Sequence, residues 1–155
     1  MKIYINAGHG LNTKGGKDPG AIGRVQGLHE HDAAWDMAER LGNLLRANGH
    51  ETVGPFLRNI NTAAEEANRH KCDLVISLHC NSAVDTSAHG FEVLYKTNES
   101  RRIAEAIAAQ VKAQIPTGKS QWLKETGKIP LTLRAGGTGI VHRPKLGILR
   151  LPKCK

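Results

Sequence analysis

The sequence predicts one α/β domain over residues 1–155, with a central, mostly parallel or mixed sheet flanked by helices. Three observations carry that expectation. Segments with strand character alternate with segments of helical periodicity in the order β-α-β-α-β-β-α, the pattern of a layered α/β sheet. One segment, Asp73 to Leu78, is the continuous apolar run expected of a central strand buried on both faces. The chain has 155 residues, 39% of them hydrophobic, enough to build one core. With aromatic residues at only 4%, aliphatic side chains must fill it.

The elements read in order as follows. Lys2 to Asn6 alternates Ile3 and Ile5 with polar neighbours and stops at Ala7-Gly8-His9-Gly10, a short strand entering a glycine loop. The loop runs from 11 to 29 with five glycines and Pro19, and loops of such length usually serve function. From Glu30, Ala34, Ala38, Leu41 and Leu45 recur at helical steps, with Leu44 widening the stripe and Gly49 in the C′ position. Glu51 to Leu57 reads as an edge strand because of Gly54 and Pro55. Thr62-x-x-Glu65 reads as a capping box that opens a helix to about His70. After the strand at 73–78 come a strand at Phe91 to Tyr95 and a helix from Ser100 to about Ile115, with Ile103, Ile107 and Val111 on one side. Leu146 to Leu151 reads as a final strand, and 116–139 has no assigned role.

Composition narrows the function less than it narrows the fold. The formal charge is +8, which suits nucleic acid or an anionic polymer equally well. Cys72, Cys80 and Cys154 are an odd number without C-x-x-C spacing, which excludes a simple disulfide framework and a thiolate zinc knuckle. The opening residues form a strand pattern and not that of a signal peptide. No run approaches the roughly 18 apolar residues of a membrane helix. The glycine loop satisfies neither nucleotide motif: Gly16-Lys17 is followed by Asp18, and Thr13 stands where G-x-G-x-x-G needs its third glycine.

Two histidines occupy the positions where open α/β sheets hold ligands, just past strand ends. His9 follows the first strand, and His79 follows the strand at 73–78. Glu30 stands at the first helix start, where a carboxylate is also favoured by the helix dipole alone. If the two strands are parallel neighbours, both imidazoles open onto one sheet edge. His, Glu and His with one open position is a ligand set for catalytic zinc, which supplies what amide hydrolysis requires. His29, His31, His50, His70, His89 and His142 read as surface or core residues, and Cys80 as a structural thiol.

At these residues the chain resembles the zinc amidases of the amidase 3 family, the N-acetylmuramoyl-L-alanine amidases. The resemblance rests on Asn6-Ala-Gly-His9-Gly10, Asp18-Pro-Gly-Ala21, Gly27-Leu-His-Glu30-His-Asp32 and Ser77-Leu-His79-Cys-Asn81-Ser82, in that order. The strand from Gly90 to Tyr95, Arg58 with Asn68, and the segment 143–150 extend it over nearly the whole chain. It implies that His9, Glu30 and His79 hold zinc with a water as fourth ligand. It implies that the loop 10–29 and the loop after Asn81 wall a substrate groove, with Asn81 and Arg58 touching substrate. The bond cut would be the amide joining N-acetylmuramic acid to L-alanine in peptidoglycan.

One family feature is not found. The family's penultimate strand leads into another that bears a catalytic Glu, whereas here the chain runs Leu151-Pro-Lys-Cys-Lys155 and no acidic residue follows Glu125. A C-terminally short domain is therefore expected, its general base unknown, with Glu125 and Glu92 as the substitutes to consider. The alternatives are a zinc-containing wall-binding module with little turnover, or a basic nucleic-acid-binding domain, although nucleic acid is not the expected partner. A monomer is expected, made in the cytoplasm and acting on the wall after release or export, either as a phage lysin or as a bacterial autolysin or sporulation enzyme.

Overall fold

The computed structural model describes residues 1–11, 14–23, 29–57, 60–80, 82, 91, 93–95, 97–114 and 140–142. They fall into two compact units, one of residues up to Ser82 and one of residues from Phe91 to His142.

The first unit is built on a three-stranded sheet. Strands β1 (Lys2–Ala7), β4 (Glu51–Leu57) and β5 (Leu74–Leu78) lie in the order β4-β1-β5, all parallel. Between them in sequence come the two-residue strands β2 (Gly10–Leu11) and β3 (Lys17–Asp18), which pair antiparallel, and the helices α1 (Glu30–Ala47) and α2 (Ile60–Arg69). The α/β architecture with a parallel sheet is therefore as the element order predicts, and α1 packs on β4 and β1.

β1, and not β5, takes the central place that the sequence suggests for the apolar run at 73–78. β1 is central and buried on both faces, with Ile3, Tyr4, Ile5, Asn6 and Ala7 each at most 3% exposed. The sequence shows it only as a short strand, with Ile3 and Ile5 alternating with polar neighbours. Its polar side chains are bonded in burial, though not completely: Tyr4 Oη donates to Glu66 of α2 at 2.6 Å and Asn6 Nδ2 donates to Ser77 Oγ at 3.1 Å, while Asn6 Oδ1 has no partner among the described residues. A satisfied polar group loses little on burial. β5, expected at the centre, borders the sheet among the described residues, and only Leu74 of it is fully buried.

β4 lies at the other border, as Gly54 and Pro55 predict. Its pairing with β1 slips between Tyr4 and Asn6, so that Tyr4 faces Val53 but Asn6 faces Phe56. Pro55 has no N–H to give the ladder, and the extra residue is absorbed as a bulge.

Small residues form the buried stripe of each helix. Ala34, Ala38 and Gly42 of α1 are buried at steps of four, and this seam lets the helix approach the sheet closely. Leu44, which the periodicity had included, is 63% exposed. α1 ends as predicted. Gly49 N–H donates to Arg46 O and His50 N–H to Leu45 O, both at 3.0 Å, which is the Schellman pair of bonds. α2 begins at Ile60, two residues before the expected cap, so Thr62 and Glu65 lie inside the helix and do not open it. Ala63, Ala64 and Ala67 are its buried stripe.

In the second unit, β6 (Val93–Tyr95) and β7 (Ile140–His142) pair parallel, and α3 (Asn98–Gln114) packs on both. α3 starts two residues before the expected Ser100. Thr97 Oγ1 accepts from Ser100 N–H at 3.1 Å while Ser100 Oγ accepts from Thr97 N–H at 2.9 Å. This is a capping box with serine in the usual Glu/Gln place. Its buried residues are Ala104 and Ala108, while Ile107 is 37% exposed. The expected stripe of Ile103, Ile107 and Val111 is displaced by one position. The expected strand at Leu146 to Leu151 lies outside the described residues. No described helix is long and apolar enough to cross a membrane.

Candidate metal centre

The site assembles at the carboxyl ends of β1 and β5. Ile3 to Ala7 pairs in parallel register with Leu74 to Leu78, and Gly8 N–H donates to Leu78 O at 2.8 Å. The two strand ends are thereby tied together, and the residues that follow them emerge on one sheet edge. His9 then turns at φ 65°, a conformation histidine tolerates better than most side chains. The β2–β3 pairing sets Asp18 opposite Gly10. From there Pro19 to Ala21 runs along the start of α1, where Glu30 N–H donates to Ala21 O at 2.8 Å and His31 N–H to Pro19 O at 3.2 Å.

Glu30 is the centre of the arrangement. Its side chain is only 3% exposed. One carboxylate oxygen accepts the Ala21 N–H at 2.9 Å and lies 3.2 Å from His9 Nε2. The other accepts the Cys80 N–H at 2.7 Å and lies 3.0 Å from His79 Nδ1. The imidazoles meet edge to face with centroids 5.0 Å apart. One ligand atom from each of His9, Glu30 and His79 lies within 4.8 Å of the other two. The structure thus brings together the three residues that the sequence singles out.

Two features around this triad escape a reading of the sequence. The first is Asp18, whose Oδ2 lies 3.0 Å from His9 Nδ1 while its Oδ1 accepts the Gly20 N–H at 3.1 Å. The hydrogen bond from His9, followed by that from Gly20, holds its carboxyl below the ordinary carboxylate value. An ionised carboxylate only accepts, so Nδ1 donates to Asp18 and Nε2 is the nitrogen left toward Glu30. Nε2 and the buried Glu30 carboxylate, 3.2 Å apart, are spaced as two ligand atoms of one metal ion would be, and a carboxylate behind a ligand histidine is the usual outer-shell support. The visible signal was Asp18-Pro-Gly-Ala21, read as a motif without a role for its aspartate.

The second feature is the closeness of the backbone. A Cβ on Gly8 would lie 2.4 Å from His79 Cε1. A Cβ on Gly20, which has φ +68°, would lie 2.6 Å from Glu30 Oε2 and 2.7 Å from His9 Cδ2. Only glycine fits at either place.

Cys80 contributes its N–H, and burial together with the nearby Glu30 charge pushes its thiol pKa up, as suits a structural cysteine. His50 lies against the N-terminal amino group. His29 and His31, expected as surface or core residues, cluster with Asp32. Arg58, Asn81, Glu92 and Glu125 lie outside the described residues.

This fold is shared with solved N-acetylmuramoyl-L-alanine amidases. The chain matches the amidase 3 family, described as N-acetylmuramoyl-L-alanine amidase, over residues 3–134, and it belongs to that family. It is 32% identical over 133 residues to the protein YqiI of Bacillus subtilis (strain 168), a match that covers 80% of this chain and 60% of that protein. It is also 32% identical over 127 residues to the N-acetylmuramoyl-L-alanine amidase LytC of the same organism, with 74% of this chain and 23% of LytC covered. The chain thus spans less than two thirds of the length of either relative. Its fold resembles that of the amidase Ami1 of Mycobacterium smegmatis, with a TM-score of 0.74 at 22% identity over 99% of this chain and 78% of that one.

Proposed function

We propose that this chain hydrolyses the amide between N-acetylmuramic acid and L-alanine in peptidoglycan, with zinc held by His9, Glu30 and His79. The observation that carries the proposal is the buried Glu30 carboxylate flanked by two imidazole nitrogens at 3.0 and 3.2 Å. Zinc in such a set would polarise the scissile carbonyl and lower the pKa of a water toward about 7.

The chain's own residues have defined tasks in this reading. Glu30 supplies the negative charge, and the Ala21 and Cys80 amides fix both of its oxygens. Asp18 keeps the proton of His9 on Nδ1. His9 and His79 offer ring nitrogens from neighbouring strand ends. Arg58 and Asn81 are proposed to hold substrate. Hydrolysis also needs a group that takes a proton and returns it to the leaving amine, and Glu92 and Glu125 are the carboxylates proposed for it. The formal charge of +8 favours approach to an anionic wall, so the working site would be the cell wall.

The test is mass analysis of peptidoglycan fragments after incubation with the chain, with zinc or with a chelator. Zinc-dependent release of stem peptides with free L-alanine amino ends is the expected result. Wall binding by folded, zinc-loaded protein without any release would instead identify a binding module. Glu92→Gln and Glu125→Gln then test each proposed base, and a full rate in both would reject the pair.

A further inference from the structure

We propose that His29, His31 and Asp32 form a second divalent-metal site, for a zinc-like transition ion, separate from His9, Glu30 and His79. One donor atom from each lies within 4.8 Å of the other two. His31 Nε2 is 3.1 Å from Asp32 Oδ1, and His29 Nδ1 is 3.7 Å from Asp32 Oδ2. A tetrahedral ion with bonds of roughly 2.1 Å separates its ligand atoms by about 3.4 Å, and the two observed spacings bracket that value. Two imidazoles and a carboxylate suit zinc, copper or nickel more than calcium or magnesium.

The surroundings of the rings bear on the same assignment. His31 Nδ1 lies 3.4 Å from the Pro19 carbonyl oxygen, so the ring is held at that nitrogen while Nε2 is the one beside Asp32. The His29 ring stacks on that of His31 at 5.5 Å and 22°. Although His29 is the N-cap residue of α1, its side chain makes no capping bond and is turned to Asp32.

The second site is independent of the first in position and in strength. Glu30 is buried, whereas the side chains of His29, His31 and Asp32 are 42, 27 and 63% exposed. The positive end of the α1 dipole disfavours a cation here. A weaker, exchangeable ion follows, filling only after the first site.

The test is zinc content per chain after dialysis of the full chain against stepped concentrations of free Zn²⁺. The parent is expected to climb from one ion to two. His29→Ala and Asp32→Asn should each weaken the second step by at least the roughly tenfold that losing even an outer-shell partner costs, and leave the first step intact. His79→Ala should lose the first step and keep the second, with its folding checked by circular dichroism. His31 is left unchanged because it also touches Pro19. A parent that stays at one ion overturns the proposal, and so does a second step that survives both His29→Ala and Asp32→Asn unchanged. Because these readouts count ions, failure of the amidase activity would leave them untouched.

Discussion

Replacing Asp18 by Asn tests how the first site is supported. The aspartate offers two acceptor oxygens, one to His9 Nδ1 at 3.0 Å and one to the Gly20 N–H at 3.1 Å. Asparagine offers one oxygen and an NH₂ donor. If its oxygen turns to His9, the NH₂ group opposes the Gly20 N–H. If the oxygen turns to Gly20, the NH₂ group drives the His9 proton to Nε2, where it blocks the nitrogen that faces Glu30. Either arrangement weakens a metal site. Loss of a carboxylate behind a ligand histidine costs about 10- to 100-fold in metal affinity. The Asp18 side chain is 37% exposed, so water screens part of its charge, and the lower end, about tenfold or roughly 1.4 kcal/mol, is expected. Competition with a chromophoric chelator measures the affinity, and nitrogen-15 NMR of the His9 ring reads which nitrogen holds the proton. An affinity within about twofold of the parent, with the proton still on Nδ1, would refute the reasoning.

Other outcomes follow from the same geometry. His79→Ala should reduce bound zinc to well below one per chain under conditions that fill only the tight site, and Glu30→Gln should act in the same direction, while His50→Ala changes nothing. Elemental analysis decides, and equal zinc in His79→Ala and parent would dismiss the site. Gly20→Ala forces a Cβ to within 2.6 Å of Glu30 Oε2 at φ +68°. It should cost about 1–3 kcal/mol in denaturant unfolding and lower zinc affinity too. Thr97→Ala removes the capping partner of Ser100 and should cost about 1 kcal/mol, read from urea unfolding, with zinc content unchanged.

The difference between what was legible and what was not lies in the range of the interactions involved. Local chemistry is written in local sequence. Gly49 ends α1 because the chain needs a left-handed residue just there, and Pro55 keeps β4 to the border because it cannot donate to a ladder. His9, Glu30 and His79 stood out because strand ends and helix starts are positions where ligands gather. Which residues are buried is a different matter. Ala34 and Ala38 face the core as their spacing suggests, but Leu44 and Ile107 also looked apolar enough to do so, and Gly42, Ala104 and Ala108 took that place. Periodicity records the hydrophobic face of a helix, but the approach distance to the sheet selects small residues within it.

The central place of β1, and not β5, has the same origin. An isolated strand cannot reveal that Tyr4 will find Glu66, or Asn6 will find Ser77, partners 62 and 71 residues away. Those bonds let a mixed polar strand occupy the centre. Asp18 and the His29–His31–Asp32 cluster were hidden for a related reason, since a proton's position on an imidazole depends on what the folded chain sets beside the other nitrogen. The sequence by itself determined the α/β class and singled out His9, Glu30 and His79 at two strand ends and a helix start. Tertiary structure alone decided which strand lies at the centre, how closely Gly8 and Gly20 pass the imidazoles, and which nitrogens are left to face a metal ion. Each of those depends on contacts between segments far apart in the chain, for which local spacing holds no record.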